Sequence, residues 1–516
     1  MRKAKGEFTR GIIGKSKGGV WKLLNNRKSH DFQSMIKASQ SSSNESELAE
    51  EFASFFKNKV NNLKRSPNSS EIFEALHDKF KDYPRWDITT CTPEDVARAI
   101  DDLRPTLSSG ADLVPNRLIK SLKFEALDSL TSVFNKCISE NVFPDVWKIS
   151  KVLPTFKKGD KTKIQNFRPV CLYSTLGKLF ESVIRKQILK HLENVLPSNM
   201  FGFRPGRSTQ DAVSGVIDKI RNYRANGKFV AILSMDASSA FDLLPHSVIL
   251  RSLEVIGAGP KFINWTKSFL SNCKNFVQIG EVQSSTWSVD TGSGQGRRMS
   301  PDYFNLSTIS QAILTIISEF FGYADDGMDV VYGSNTVECD TKLQQIAKER
   351  VEWYGNVGLS LNPDKTEIIG FGYDPAPISI LGHTIVPKPH IKFLGFTIQK
   401  DLKWSIHLEA FCNKVRSAAG RIRMEGRNFS VQDKRLLFNG WIQSQIYYNA
   451  RIVLPSLNKS DLSTLQTACN SGIRAVWGLP KYGYADITNI RAQLKIPSVE
   501  TIMEQKLLEA AWKSFY

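Results

Sequence analysis

The spacing of apolar and polar positions divides this chain into segments of two kinds. Phe229-Val230-Ala231-Ile232-Leu233-Ser234-Met235 is an almost unbroken apolar run that stops at Asp236, and it predicts a strand buried on both faces. In Phe321-Gly322-Tyr323-Ala324-Asp325-Asp326-Gly327 an apolar-aromatic stretch gives way to two acids and a glycine. Met328 to Gly333 then resumes a β-rich pattern, so the acids read as the turn of a short hairpin. Elsewhere the period is helical. Leu176, Leu179, Phe180, Val183, Ile184, Ile188 and Leu192 share one stripe, and Leu343, Ile346, Ala347, Val351 and Tyr354 another. Leu48 to Val60 forms a modest amphipathic helix. From about Ser405 helices dominate, with Phe411, Val415, Ala418 and Ile422 on one face and Leu462, Leu465, Cys469, Ile473 and Val476 on the next.

Capping and turn residues set the boundaries. Thr92-Pro93-Glu94-Asp95 combines an N-cap, a first-turn proline and a capping-box acid; Val96, Ile100 and Leu103 follow on one face, and a second helix runs to about Glu140. Apolar alternation through Val152, Pro154 and Phe156 predicts a strand, with Lys157 and Lys158 at the turn after it. The return begins at Asn166-Phe167-Arg168. Phe201-Gly202-Phe203-Arg204-Pro205-Gly206-Arg207 is a Gly/Pro-rich loop entering a helix capped by Ser208. Phe276 to Val289 alternates like a hairpin, and Gly292 to Pro301 is a second glycine-rich loop, with Pro301 opening a helix. Ser39 to Asn44 and Ser66 to Ser70 are linker-like.

The acids give the pattern a chemistry. Adjacent carboxylates repel one another unless a cation sits among them. An isolated Asp-Asp turn is most often an ordinary acidic turn, and an aspartate ending a strand most often a cap. The two together, Asp236 ending a buried strand and Asp325-Asp326 in a hairpin, are the parts of a two-metal phosphoryl-transfer site. Lys157, Lys158 and Arg168 at neighbouring strand ends suit a triphosphate or, equally, form a solvated basic hairpin, and Arg204 and Arg207 suit a nucleic-acid strand. The net charge of +18 favours a polyanionic partner, a membrane surface and plain solubility being the other readings. Nine Lys and Arg within residues 1–28, against Glu7 alone, sharpen that bias. No apolar run reaches ~18 residues, so no spanning helix is expected. Seven scattered cysteines without a Cys-x-x-Cys pair fit a reducing intracellular compartment.

In order, from about Trp147 to Trp404, these motifs resemble the reverse transcriptases of non-LTR (LINE-type, jockey-like) retrotransposons. Ser109-Gly110-Ala111-Asp112-Leu113-Val114-Pro115 looks like the family's Gly-x-Asp-x-x-Pro segment, and Leu361-Asn362-Pro363-Asp364-Lys365-Thr366-Glu367 like its Leu-Asn-x-x-Lys-Thr-Glu. The resemblance implies an α+β right-hand polymerase. Its parts would be a basic extension over 1–90, a helical lead-in over 91–145, fingers and palm over 146–400 and a helical thumb over 401–516. It implies RNA-templated extension of a DNA 3′-hydroxyl with two Mg²⁺ ions, Mn²⁺ being a substitute. Asp236 and Asp325 would hold the metal with support from Asp326, and Lys365 would serve the leaving pyrophosphate. Arg168 and Lys157 or Lys158 would meet the triphosphate, Phe241 would lie under the incoming sugar, and Gln295 and Gly296 would lie beside the nucleotide or template base. Arg204 and Arg207 would touch the template. Leu394 and Gly395 would belong to a primer-gripping strand.

The implied partners are an RNA template, expected to be the element's own transcript, a DNA primer or target site, and dNTPs. The implied setting is a cytoplasmic ribonucleoprotein and the nucleus. Arg297-Arg298 departs from the small or apolar residues usual after the second glycine of that loop. The opening holds nothing like the endonuclease many full-length elements carry, and no zinc knuckle or RNase H signature precedes Tyr516. Two other readings compete: a group II intron-type reverse transcriptase, and an inactive element fragment that binds nucleic acid.

Overall fold

The computed structural model describes residues 44–515. The basic stretch 1–28, and all of the 39–44 linker except Asn44, lie outside the described residues. Two compact units result, one within Gln33–Pro387 and the other within Lys388–Tyr516.

The strands of the first unit, in chain order, are β1 (Ile149–Phe156), β2 (Phe167–Leu172), β3 (Phe229–Asp236), β4 (Cys273–Ile279), β5 (Val282–Gln283), β6 (Trp287–Val289), β7 (Glu319–Tyr323), β8 (Asp326–Gly333), β9 (Glu367–Phe371), β10 (Ile378–Ile380) and β11 (His383–Ile385). One sheet runs β2-β1-β4-β5, with β6 also on β4; β1 and β4 pair in parallel and the other neighbours antiparallel. The second sheet is antiparallel, ordered β7-β8-β3-β9. Strand β3 lies inside it, and Val230, Ala231, Ile232 and Leu233 are wholly buried, as the unbroken apolar run requires. The helices Thr209–Ala225 and Thr336–Asn356 pack against it. From the latter, Arg350 reaches Asp329 of β8 with two bonds of 2.6 and 2.9 Å, and both side chains are buried.

Local chemistry fixes the helix ends. Thr92 and Asp95 close a capping box on the Pro93–Asp101 helix, and Ser208 and Asp211 another on Thr209–Ala225. The helix expected up to Glu140 breaks at Leu122 into Asn116–Ser121 and Lys123–Ser139. Lys120 donates to the carbonyls of Asp101 and Leu103 and Lys123 to the Asp101 carboxylate, which ties the break to the preceding helix.

The second unit has its own core. A hairpin of β12 (His390–Phe393) and β13 (Phe396–Gln399) precedes the helices Ser405–Glu425, Val431–Phe438, Lys459–Trp477 and Val499–Phe515. Phe411, Val415, Ile422, Phe438, Leu465 and Ile473 meet in its interior. Among the described residues, no helix is long and apolar enough to cross a membrane.

Candidate active site

Strand register brings the three aspartates to one end of the second sheet. Asp236, the last residue of β3, pairs directly with Asp326, the first of β8; Tyr323 pairs with Asp326 from the other side. Ala324 and Asp325 make the turn, with Ala324 in the left-handed region at φ 56°. Burial, with the Asp236 charge behind it, pushes the Asp325 carboxyl above the usual range, while its own backbone bond and Lys365 and Lys157 pull the other way. Burial in the cleft, then the charges of Asp325 and Asp236, push Asp326 up to about 6 although its side chain still reaches water. Lys365, in the short helical turn Pro363–Lys365, places Nζ 2.6 Å from Asp236 Oδ2. Among the described residues, no three His, Cys, Asp or Glu side chains form a ready-made metal cage. The donor chemistry nevertheless fits a hard cation: three carboxylates meet at adjacent strand ends, and burial and neighbouring negative charge raise the proton affinity of Asp325 and Asp326, the setting that binds oxygen-seeking divalent ions.

The Phe201–Arg207 loop runs directly beneath this turn. Phe201 N–H donates to the Gly322 carbonyl at 2.8 Å, Gly322 N–H to Asn199, and buried Asn305 reaches the Gly202 carbonyl at 2.8 Å. A Cβ on Gly202 would lie 2.3 Å from the Ala324 nitrogen and 3.1 Å from the Tyr323 carbonyl carbon. Glycine is needed here for close approach to the acidic turn itself.

Phe241 sits in the short Ala240–Leu243 helix after β3. Its ring stacks on Phe304 at 4.5 Å and meets Phe203 edge-on at 5.9 Å. The segment after it is stitched to the second glycine-rich loop: Gly292 N–H donates to Leu244, Ser293 N–H to Phe241, and Thr291 Oγ1 to Leu243. Phe241, Phe203, Gln295, Gly296 and Arg298 line a cavity of about 610 Å³. Gly296 adopts φ 100°, and a Cβ there would lie 2.9 Å from the Cys171 carbonyl oxygen.

The two arginines that depart from the family pattern have opposite fates. Arg298 is exposed and lines the cavity. Arg297 is buried, its guanidinium 4.2 Å from the Phe269 ring centre and 4.6 Å from that of Tyr173. Its nitrogens donate to the Phe269 carbonyl at 3.1 Å and contact Cys273 Sγ at 3.2 Å. Buried Glu181 accepts the backbone N–H groups of Arg298 (2.6 Å) and Met299 (3.1 Å). Burial raises its pKa, against the pull of Arg297, those two N–H groups and Lys178. Sequence reading missed Glu181 and Asn305. Glu181 carried a signal, because it falls on the apolar stripe beside Phe180 and Ile184.

The other expected residues are distributed as follows. Lys157 and Lys158 follow β1 and are exposed; Arg168, exposed on β2, pairs with Thr155. Arg204 does not face outward as expected. It is buried, bonded to Glu193 at 2.9 Å and to the carbonyls of Pro197 and Met200, so its guanidinium is held by the protein itself. Arg207 is exposed, with its guanidinium over the Phe201 ring. Leu394 and Gly395 form the β12–β13 turn of the second unit, where the Leu394 carbonyl accepts from Tyr448 Oη at 2.5 Å.

Comparison with known proteins agrees with this geometry. Residues 156–398 match the family model described as "Reverse transcriptase (RNA-dependent DNA polymerase)". The chain is 24% identical over 430 residues to the "RNA-directed DNA polymerase from mobile element jockey" of Drosophila melanogaster, covering 80% of this chain and 46% of that protein. It is also 24% identical over 432 residues to the "Probable RNA-directed DNA polymerase from transposon BS" of the same fly, covering 79% and 46%. A pol polyprotein of the type-1 retrotransposable element R1 from Bradysia coprophila is 24% identical over 393 residues, covering 73% and 38%. The chain thus spans less than half the length of these relatives. Residues 156–398, the paired strands β3 and β8 among them, thus match the reverse transcriptase family, and the chain is similar to the polymerases of LINE-type, jockey-like retrotransposons.

Proposed function

We propose that this chain extends a DNA 3′-hydroxyl on an RNA template, releasing pyrophosphate, as the polymerase of a non-LTR retrotransposon. The observation that supports this most is the direct pairing of Asp236 with Asp326, with Asp325 in the adjoining turn. Asp236 and Asp325, assisted by Asp326, would hold two divalent ions, Mg²⁺ by this reading with Mn²⁺ as substitute. Such ions supply activation of the hydroxyl and neutralisation of the triphosphate. The protein's own groups do the rest. Lys365, already 2.6 Å from Asp236, offsets or protonates the departing pyrophosphate. Arg168 with Lys157 or Lys158 grips the triphosphate, Phe241 closes the space beside C2′ of the sugar, and Gln295 and Gly296 border the nucleotide or template base. Arg207 and the Leu394-Gly395 turn contact template and primer.

In this reading 146–400 are fingers and palm and 401–516 the thumb of a right-hand polymerase. The template is the element's own transcript, and the work is done in a cytoplasmic ribonucleoprotein and in the nucleus. Asp236→Asn or Asp325→Asn should abolish extension of a primed RNA with dNTPs while leaving primer–template affinity within about twofold, since these carboxylates act in the chemical step. Unchanged extension by either variant would remove the site assignment. Absence of extension by the unmodified protein, with binding intact, would favour a fragment that only binds nucleic acid.

A further inference from the structure

The Lys459–Trp477 helix ends in a left-handed residue, Gly478 at φ 90°. The loop that follows, Leu479-Pro480-Lys481-Tyr482-Gly483-Tyr484, is pinned back onto it. Arg474 donates to the Gly483 carbonyl at 2.6 Å and to Pro480 at 3.4 Å. Gly483, at φ 118°, separates two exposed tyrosines: Tyr482 is 76% exposed and Tyr484 wholly so. Lys481 Nζ lies 4.9 Å from the Tyr482 ring centre. Trp477 is also partly exposed, one turn beyond Arg474 on the same side of the helix.

Three aromatics exposed within eight residues have no task in the core of this unit, and folding alone gives no reason to hold them in water. The surrounding charge indicates what they meet. Between residues 474 and 495 the charged side chains are Arg474, Lys481, Arg491 and Lys495 against Asp486 alone, and Asp486 caps the next helix through Asn489 N–H. Rings beside cations, with few aliphatic side chains, suit bases and phosphates rather than an apolar protein face. The exposed ring faces decide between paired and unpaired strands. In a duplex the base faces are closed by their neighbours, whereas unpaired bases offer theirs to an aromatic.

We infer that Tyr482 and Tyr484, with Trp477 and Lys481 beside them, form a stacking platform for an unpaired nucleic-acid strand. The inference rests on the nucleic-acid reading above, and it concerns the single strand outside the hybrid.

The test uses the whole chain and two labelled probes, an unpaired RNA of about twelve nucleotides and a blunt RNA–DNA hybrid. Replacing both tyrosines, Tyr482→Ala with Tyr484→Ala, should weaken the unpaired probe about tenfold or more. Hybrid binding and extension of a minimally primed template should stay unchanged. Tyr482→Phe with Tyr484→Phe keeps the ring faces and should keep the affinity. Equal affinity of the alanine pair for unpaired RNA would overturn the platform, as would an equal loss on the hybrid or an unmodified protein that extends primers yet ignores unpaired RNA. A protein that neither binds nor extends would instead overturn the polymerase reading.

Discussion

The Phe201–Ser208 and Gly292–Ser300 loops are built from the same materials, glycines and two arginines. In each, the first arginine is buried and the second exposed. They differ in how the buried charge is balanced. Arg204 has an acid partner, Glu193, which is still partly open to water. Arg297 sits between ring faces, while the nearby acid, Glu181, is wholly buried and bonds the backbone of the loop instead of the guanidinium. The first loop is therefore an ordinary ion pair at the edge of the fold. The second depends on two opposite charges enclosed together. An arginine in a glycine-rich loop is thus no indication of a nucleic-acid contact until its partners are known.

The sharpest way to break this comparison is to remove each buried cation. Arg297→Met leaves the Glu181 charge enclosed and should cost about 3–5 kcal/mol in denaturant unfolding. Arg204→Met should cost less, about 1–3 kcal/mol, because Glu193 can reach water. Equal losses would show that the two loops are held alike. The pH dependence follows from Glu181, whose carboxyl titrates above the unfolded glutamate value in the native state. Its contribution is complete below that unfolded value and is lost as pH rises through the raised native one. Arg297→Met raises the native value further, so its deficit should be smallest in acid and grow towards neutrality. Adding Glu181→Gln should flatten that slope.

Gly202→Ala tests the first loop where it meets the acidic turn. The methyl would lie 2.3 Å from the Ala324 nitrogen, so the turn must shift. Extension should fall about a hundredfold in kcat with dNTP KM little changed, because misplacement of reacting groups by about 1 Å is enough, and overpacking of the backbone should lower stability by about 1–3 kcal/mol. Unaltered kcat would show that the turn tolerates the displacement.

Phe241 is held by both loops, through Phe203 on one side and the Ser293 bond on the other. Phe241→Val should lower discrimination against ribonucleotides by about 10–100-fold. Equal loss of dNTP and rNTP incorporation, with early melting, would mark the ring as packing alone. The smallest effects should come from the exposed arginines. Arg207→Glu and Arg298→Glu should each weaken primer–template binding a few-fold, and each neutral variant should lower the salt slope by about one. A salt-insensitive complex would count against both.

Strand β3, the Asp-Asp hairpin and the capping boxes were legible in the sequence because each rests on local pattern: an unbroken apolar run, a turn dipeptide, a Ser or Thr followed by an acid three residues on. The fate of each arginine was not, because it is set by residues distant in the chain. Arg297 is enclosed by Phe143, Tyr173 and Phe269, none of which marks the loop in sequence. The packing of Gly202 against the acidic turn was not legible either, because only the fold shows which backbone its missing Cβ would meet.

The parallel pairing of β1 with β4 bears on how the chain comes to be folded. The β1–β2 hairpin can close as soon as both strands exist, but the other edge of β1 must wait for Cys273–Ile279, across a crossover that contains β3 of the other sheet. At ~5–20 residues per second, a ribosome takes roughly 6–25 s to make the chain between Phe156 and Cys273. Throughout that interval β1 offers a bare row of backbone donors and acceptors to any strand it meets. Synthesis slowed within this stretch should therefore lower the yield of native protein more than slowing after Ile279.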